Sequence, residues 1–326
     1  DSGNTSIKTN NGTIAVDGGV SSAKGSVEVG TTTGTITIGT SSAAANVSAG
    51  TTAGITSTNS DITVYGNVES GTGTKVQTSN SSTDADIKVT GYAKSTTSGD
   101  VTVQTTKGDI TLGNDKLSVP AVDSKGNAYV KATTSGDISV TGAVNAATAA
   151  ELNAAKGDVQ LTGDMTATGG AATITAVGTG STDTGAATDD GNITVTGTVS
   201  GSTDAKLTAT EGNVNLKGGL KAGTGDASIG ASASSVSANN GNITVTGASD
   251  SAVGNVASEN GAVSISTDRG NISFTGTASA GTILGVTNTT SGTITVTGNL
   301  KTTGASAENA ITVQTAGGSD DKITLN

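Results

Sequence analysis

The sequence predicts an all-β chain wound as a parallel β-helix, and three observations predict it. The string GNITVTG stands at 191–197 and again, letter for letter, at 241–247, with looser copies from GTIAVDG at 12–18 to DKITLN at 321–326. Self-similarity at a spacing of roughly 20–50 residues marks a solenoid. Within each copy apolar and polar residues alternate with a period of two, as in a strand with one buried face. Only 1% of residues are aromatic and 32% hydrophobic, so burial has to come from thin layers of Val, Ile, Leu and Ala.

The elements follow in order. The motif starts at 12, 34, 60, 85, 108, 136, 157, 191, 212, 241, 270, 292 and 321, at intervals of 21–34 residues. This predicts one continuous solenoid over 1–326, of about 12 coils, with fixed strands and variable turns. The first strand of each coil is the motif itself. Ile193 and Val195, Ile243 and Val245, Ile272 and Phe274, and Ile294 and Val296 point inward as core rungs, while the threonines between them point outward. Phe274 stands where its neighbours have valine, so its coil is expected to bulge. Glycine and Asn/Asp ahead of the strand supply a permissive turn. A second strand follows in most intervals, as in AATITAV (171–177), DAKLTAT (204–210) and GAVSIST (261–267), with a shorter third one near Val199 or Leu220. Like strands of successive coils then pair about 4.8 Å apart. An antiparallel sandwich also offers short strands between turns, but it does not call for the same motif at the same depth in every unit.

Composition narrows the chemistry. The chain has no cysteine and no histidine, and its formal net charge is −11. Disulfides, Cys/His zinc sites and histidine-based nucleophilic triads are therefore excluded. The acidic balance, with Arg269 as the one arginine, disfavours nucleic acid and anionic membranes as partners. No apolar run approaches the roughly 20 residues that span a bilayer. The chain opens on Asp1 and is expected to be a processed, mature product. An enzyme is not expected, nor a cofactor.

The GNITVTG-like repeats resemble those of the filamentous-haemagglutinin type, large secreted bacterial proteins. The resemblance covers nearly the whole chain. It implies a right-handed β-helix and an extracellular adhesin or surface fibre. The family's secretion domain carries Asn-Pro-Asn motifs near its start. The one proline here is Pro120, which points to a central fragment or a relative exported differently.

Few residues stand out as sites. Asp189–Asp190 and Asp320–Asp321 are paired acids in turns; as oxygen ligands they are weak calcium candidates, and solvated turn acids are the plainer reading. The outward pairs Thr194/Thr196, Thr244/Thr246 and Thr295/Thr297 form a threonine array of the kind some ice-binding solenoids present, interrupted here by Tyr65, Lys88, Gln160, Asn215 and Lys217. In the longer intervals, Tyr92 and Tyr129 are the candidate contacts.

The two ends carry the sharpest functional expectation. Residues 1–11 read as a partial coil, with a strand through Ser6, Ile7, Lys8 and Thr9. Residues 321–326 read as another, with Lys322, Ile323, Thr324 and Leu325. The two halves would complete one coil between copies. The expected function is thus a structural subunit of an extracellular bacterial filament, in a biofilm or on a cell surface, polymerising head to tail. The alternative is a monomeric adhesin stalk presenting loops to a host or glycan surface, with ice binding by the threonine array behind it.

Overall fold

The computed structural model describes residues 3–116, 118–178, 191–232, 241–246, 254–304, 310–318 and 321–326. Among them every regular element is a β-strand and none is a helix. The chain divides into two compact units, Asp1–Ala155 and Lys156–Asn326, a division the repeat spacing does not announce.

In the first unit each coil holds three strands, not two with a doubtful third. One coil consists of Ile36–Ile38, Val47–Ala49 and Thr52–Ser57, and the next of Ile62–Val64, Val68–Ser70 and Gly73–Thr78. Like strands pair in parallel and in register from coil to coil. Ile36, Ile62, Ile87, Ile110 and Ile138 form one inward column, and Ile38, Val64, Val89, Leu112 and Val140 a second. All ten are at most 1% exposed. A third column runs through Val29, Ile55, Val76, Val103, Val130 and Leu152 on the third strands. β-Branched and aliphatic side chains stack well on a pleated surface, and stacking like on like leaves no gaps between rungs.

The second unit is also a parallel β-solenoid. Here the first two strands often run together, as in Ile193–Gly201, Val214–Ala222, Ile272–Ala280 and Thr293–Thr302. Residues Ile193, Val195, Ile243, Val245, Ile272, Phe274, Ile294 and Val296 are buried as the alternation predicts. The short third strand read near Val199 and Leu220 is the second segment of these runs, and both residues are buried. The bends need glycine: Gly218 has φ +151°, and a Cβ there would stand 1.9 Å from the Gly197 carbonyl oxygen.

The strand that carries Phe274 shows no register shift. Its column stays in register with Val245 on one side and Val296 on the other. In the same coil Ala278 takes the place that Val256 and Leu300 hold in the adjoining coils, a smaller residue that offsets the larger ring. Volume is conserved within the rung, which a close-packed interior tolerates better than a distorted backbone.

Candidate functional site

Where an aspartate or asparagine stands ahead of a first strand, it does more than turn the chain. In the first unit the Asp86 N–H donates to Asp61 Oδ1 (2.9 Å), the Asp109 N–H to Asp86 Oδ1 (2.8 Å) and the Asp137 N–H to Asp109 Oδ1 (2.8 Å). In the second unit the same bonds run from Asn192 to Asp158, Asn213 to Asn192, Asn242 to Asn213, Asn271 to Asn242 and Thr293 to Asn271, at 2.7–2.9 Å. Other corners repeat the device at Asn46–Asn67, Asp100–Asn127, Asp164–Thr198 and Asp204–Asp226. In each case the acceptor side chain belongs to the earlier coil.

The two columns differ in charge. Asparagines also bond to each other: Asn213 Nδ2 donates to Asn192 Oδ1 (3.0 Å) and Asn242 Nδ2 to Asn213 Oδ1 (3.2 Å). Ionised carboxylates cannot do this. Burial pushes the Asp86 carboxyl above its ordinary value, and the charges of Asp109, Asp61 and Asp84 add to that, against the opposing Asp109 N–H. Among the described residues no group of acidic side chains is placed to hold a metal ion.

Of the calcium candidates, Asp189, Asp190 and Asp320 lie outside the described residues. Asp321 accepts N–H bonds from Gly292 (2.9 Å), Gly317 (3.0 Å) and Gly318 (2.9 Å). These donors, Gly292 first, hold its carboxyl below the ordinary value. The carboxylate is already engaged by amides.

The two strand segments at the ends of the chain fall in different units. Ser6, Ile7, Lys8 and Thr9 lie in Thr5–Thr9, paired in register with Val27–Thr31. Lys8 Nζ is 2.5 Å from Glu28 Oε2, with both side chains largely exposed. Lys322, Ile323, Thr324 and Leu325 form Lys322–Leu325, paired on Thr293–Val296. Ile311, Ile323 and Leu325 are 46, 40 and 61% exposed, whereas Leu284, Ile294 and Val296 in the same columns one coil earlier are 0, 0 and 2%. Both segments are third and first strands of a three-strand coil.

The threonine array is interrupted in register. Thr194 and Thr196 stack on Asn215 and Lys217, which stack on Thr244 and Thr246. Tyr92 and Tyr129 are each committed to a nearby side chain. Tyr92 Oη donates to Glu69 Oε2 (2.8 Å), and burial together with Glu69 pushes the phenol up to about 12. Lys131 Nζ lies 4.5 Å from the centre of the Tyr129 ring and 2.7 Å from Glu151.

The tyrosine that does face a cavity is Tyr65, which the sequence reading treats only as a break in the threonine array. It lines a polar trough of about 500 Å³ in the first unit, with Lys88, Thr90, Asn114, Asp115 and Lys116. The crossing from first to second strand takes three residues in the coils of Tyr65 (65–67) and Thr90 (90–92), but eight at 39–46 and again at 114–121. The two long crossings stand on either side of the two short ones.

No family model, no curated protein and no solved structure matches this chain.

Proposed function

We propose that this chain is the structural subunit of an extracellular bacterial filament of the filamentous-haemagglutinin type, polymerising head to tail by strand addition. The observation that carries the reading is the apolar rung of Ile311, Ile323 and Leu325, exposed in columns that are otherwise buried. In the joint, Lys322–Leu325 of one copy pairs with Ile14–Val16 of the next, bringing Ile323 against Ile14 and Leu325 against Val16. Thr5–Thr9 pairs with Ile311–Gln314, bringing Ile7 over Val313. The column assignments follow from the register within each unit. The joint coil holds a first and a third strand and lacks the short second one, a refinement of the two-strand coil read from the sequence. Backbone groups at both edges gain partners. Because the contact is heterologous and does not close, it propagates.

Negative-stain electron microscopy and sedimentation velocity over a concentration series test this. The expected result is filaments whose length grows with concentration and that are lost in Ile323→Glu/Leu325→Glu, two changes at exposed positions that leave the circular-dichroism spectrum unaltered. Uniform single particles at every concentration overturn it.

A further inference from the structure

We infer that the trough floored by Tyr65, Lys88 and Thr90 is a saccharide-binding site, and that its ligand is a polysaccharide chain bearing carboxylates. The inference stands on the first unit alone, whether or not the chain forms filaments.

The trough is built by register. Gly39, Tyr65, Thr90 and Gly113 each follow the last inward residue of a paired first strand, so they lie in one column. Tyr65 and Thr90 hold the middle two rungs. Gly39 and Gly113 bound them, three rungs or about 14 Å apart. Both glycines are in the left-handed region, at φ +76° and +78°, and a Cβ on either would stand 2.8 or 1.9 Å from backbone. Past each the chain leaves the solenoid, and Thr40, Ser41, Ser42 and Ala44 on one side and Asn114, Asp115 and Lys116 on the other form the walls. The walls are tied down. The Ala43 N–H donates to Thr40 Oγ1 (3.0 Å), the Lys116 N–H to Asn114 Oδ1 (2.9 Å), and Asn114 Nδ2 donates to the Thr90 carbonyl on the floor. A chain occupying the trough lies along the strands, between the walls.

Its lining selects the ligand. Lys8, Lys94, Lys107 and Lys131 each pair with a carboxylate. Lys88 and Lys116 line the trough and have no ion-pair partner among the described residues. With Asp115 they leave the trough one positive charge in excess on a chain of net charge −11. Two free ammonium groups call for anionic substituents. The Tyr65 ring offers an apolar face with a polar tip, and Thr40, Ser42 and Thr90 offer hydroxyls: the mixture that a polyhydroxylated ring meets on its C–H face and its edge. A peptide is less well served. The floor strands Ile62–Val64 and Ile87–Val89 are paired on both sides, so no free edge is left for strand addition. Nucleic acid is less well served too: the chain's one arginine, Arg269, is not in the lining, so bidentate contacts to phosphate are missing.

The test is isothermal titration of the full chain with an oligogalacturonate, beside the same oligomer methyl-esterified and a polyglutamate of equal charge. The acid oligomer is expected to bind, more weakly as salt rises, and the ester at least about tenfold less tightly. Tyr65→Ala should weaken binding roughly fivefold while Tyr65→Phe retains it. Lys88→Glu and Lys116→Glu should each weaken it, and Lys75→Glu, on the third-strand face, should not. Unchanged melting curves certify that the variants fold. No binding of the acid oligomer overturns the inference, as does equal binding of the ester. So does polyglutamate binding as tightly with Tyr65→Ala silent, which would assign the trough to acidic peptides, or a loss with Lys75→Glu equal to that with Lys88→Glu.

Discussion

The accommodation of Phe274 can be tested by rebuilding its coil in the image of the next one. Phe274 is fully buried between Val245 and Val296, and Ala278 in the same coil aligns with Val256 and Leu300. Phe274→Val alone leaves a cavity, and large-to-small changes of this kind cost about 2–4 kcal/mol. Ala278→Leu alone overfills the rung and costs about 1–3 kcal/mol. The double variant reproduces the Val296/Leu300 pairing already present one coil away, so it conserves volume and should cost less than about 1.5 kcal/mol. The cycle therefore carries a coupling of at least about 1.5 kcal/mol in favour of the pair. Urea unfolding followed by far-ultraviolet circular dichroism measures it. The slopes need checking for constancy, because a solenoid can lose coils locally. Additive costs, with a coupling below about 0.5 kcal/mol, would refute the claim that Ala278 makes the room Phe274 occupies.

Three further outcomes are expected. Gly218→Ala places a Cβ against the Gly197 carbonyl at a left-handed φ and should destabilise by more than about 1 kcal/mol in the same urea assay. Asn213→Ala removes the acceptor of the Asn242 N–H and should cost about 1–3 kcal/mol. Hydrogen exchange should speed at Asn242 and not at Asn213, whose own N–H is held by Asn192. Asp86, whose carboxyl is raised by burial and by Asp109, Asp61 and Asp84, with Lys107 paired to Asp84, binds its proton more tightly folded than unfolded. Its contribution to stability is therefore complete below the ordinary value of 3.8 and is lost as pH rises through the folded value. Asp86→Asn should abolish that part of the pH dependence in urea midpoints taken from about pH 3 to pH 6. Asp321, held low, works in the opposite sense: its contribution is present above the ordinary value and lost as pH falls through the folded one.

The solenoid was legible because its repeat is written in the residues that stack. Alternation in GNITVTG identified Ile193, Val195, Ile243, Val245, Ile272, Phe274, Ile294 and Val296, and all eight are buried. The middle strand of each coil was not legible as a regular element, since three residues such as Val68–Ser70 are too few to display a period. Nor was the accommodation of Phe274, because Ala278 lies four residues on and carries no mark of its partnership. The trough escaped for a different reason. Tyr65 matters only if the crossings at 39–46 and 114–121 stand three rungs apart on one face, and that depends on register between coils, which intervals of 21–34 residues leave open. Tyr92 and Tyr129 drew attention as rare aromatics, yet their neighbours Glu69 and Lys131 already engage them.

The asparagine and aspartate ahead of each strand were read as turn formers, and the turn is the lesser part of their work. Asp321 apart, these side chains accept from the following coil, which gives their column a chemical direction: the corner N–H of one coil is satisfied by the side chain of the coil before it. In the second unit that direction stops at the last described rungs. Thr293 receives from Asn271 but has no amide or carboxylate oxygen to offer in turn, and the Asp321 carboxylate points back to the Gly292 N–H of the earlier coil. A coil added beyond this point thus gains no acceptor from that column. Its hold falls to the strand pairing along Lys322–Leu325 and to the apolar contact of Ile323 and Leu325. On the proposed head-to-tail joint, those two side chains, rather than Asp321, are for that reason the ones whose replacement should prevent copies from joining.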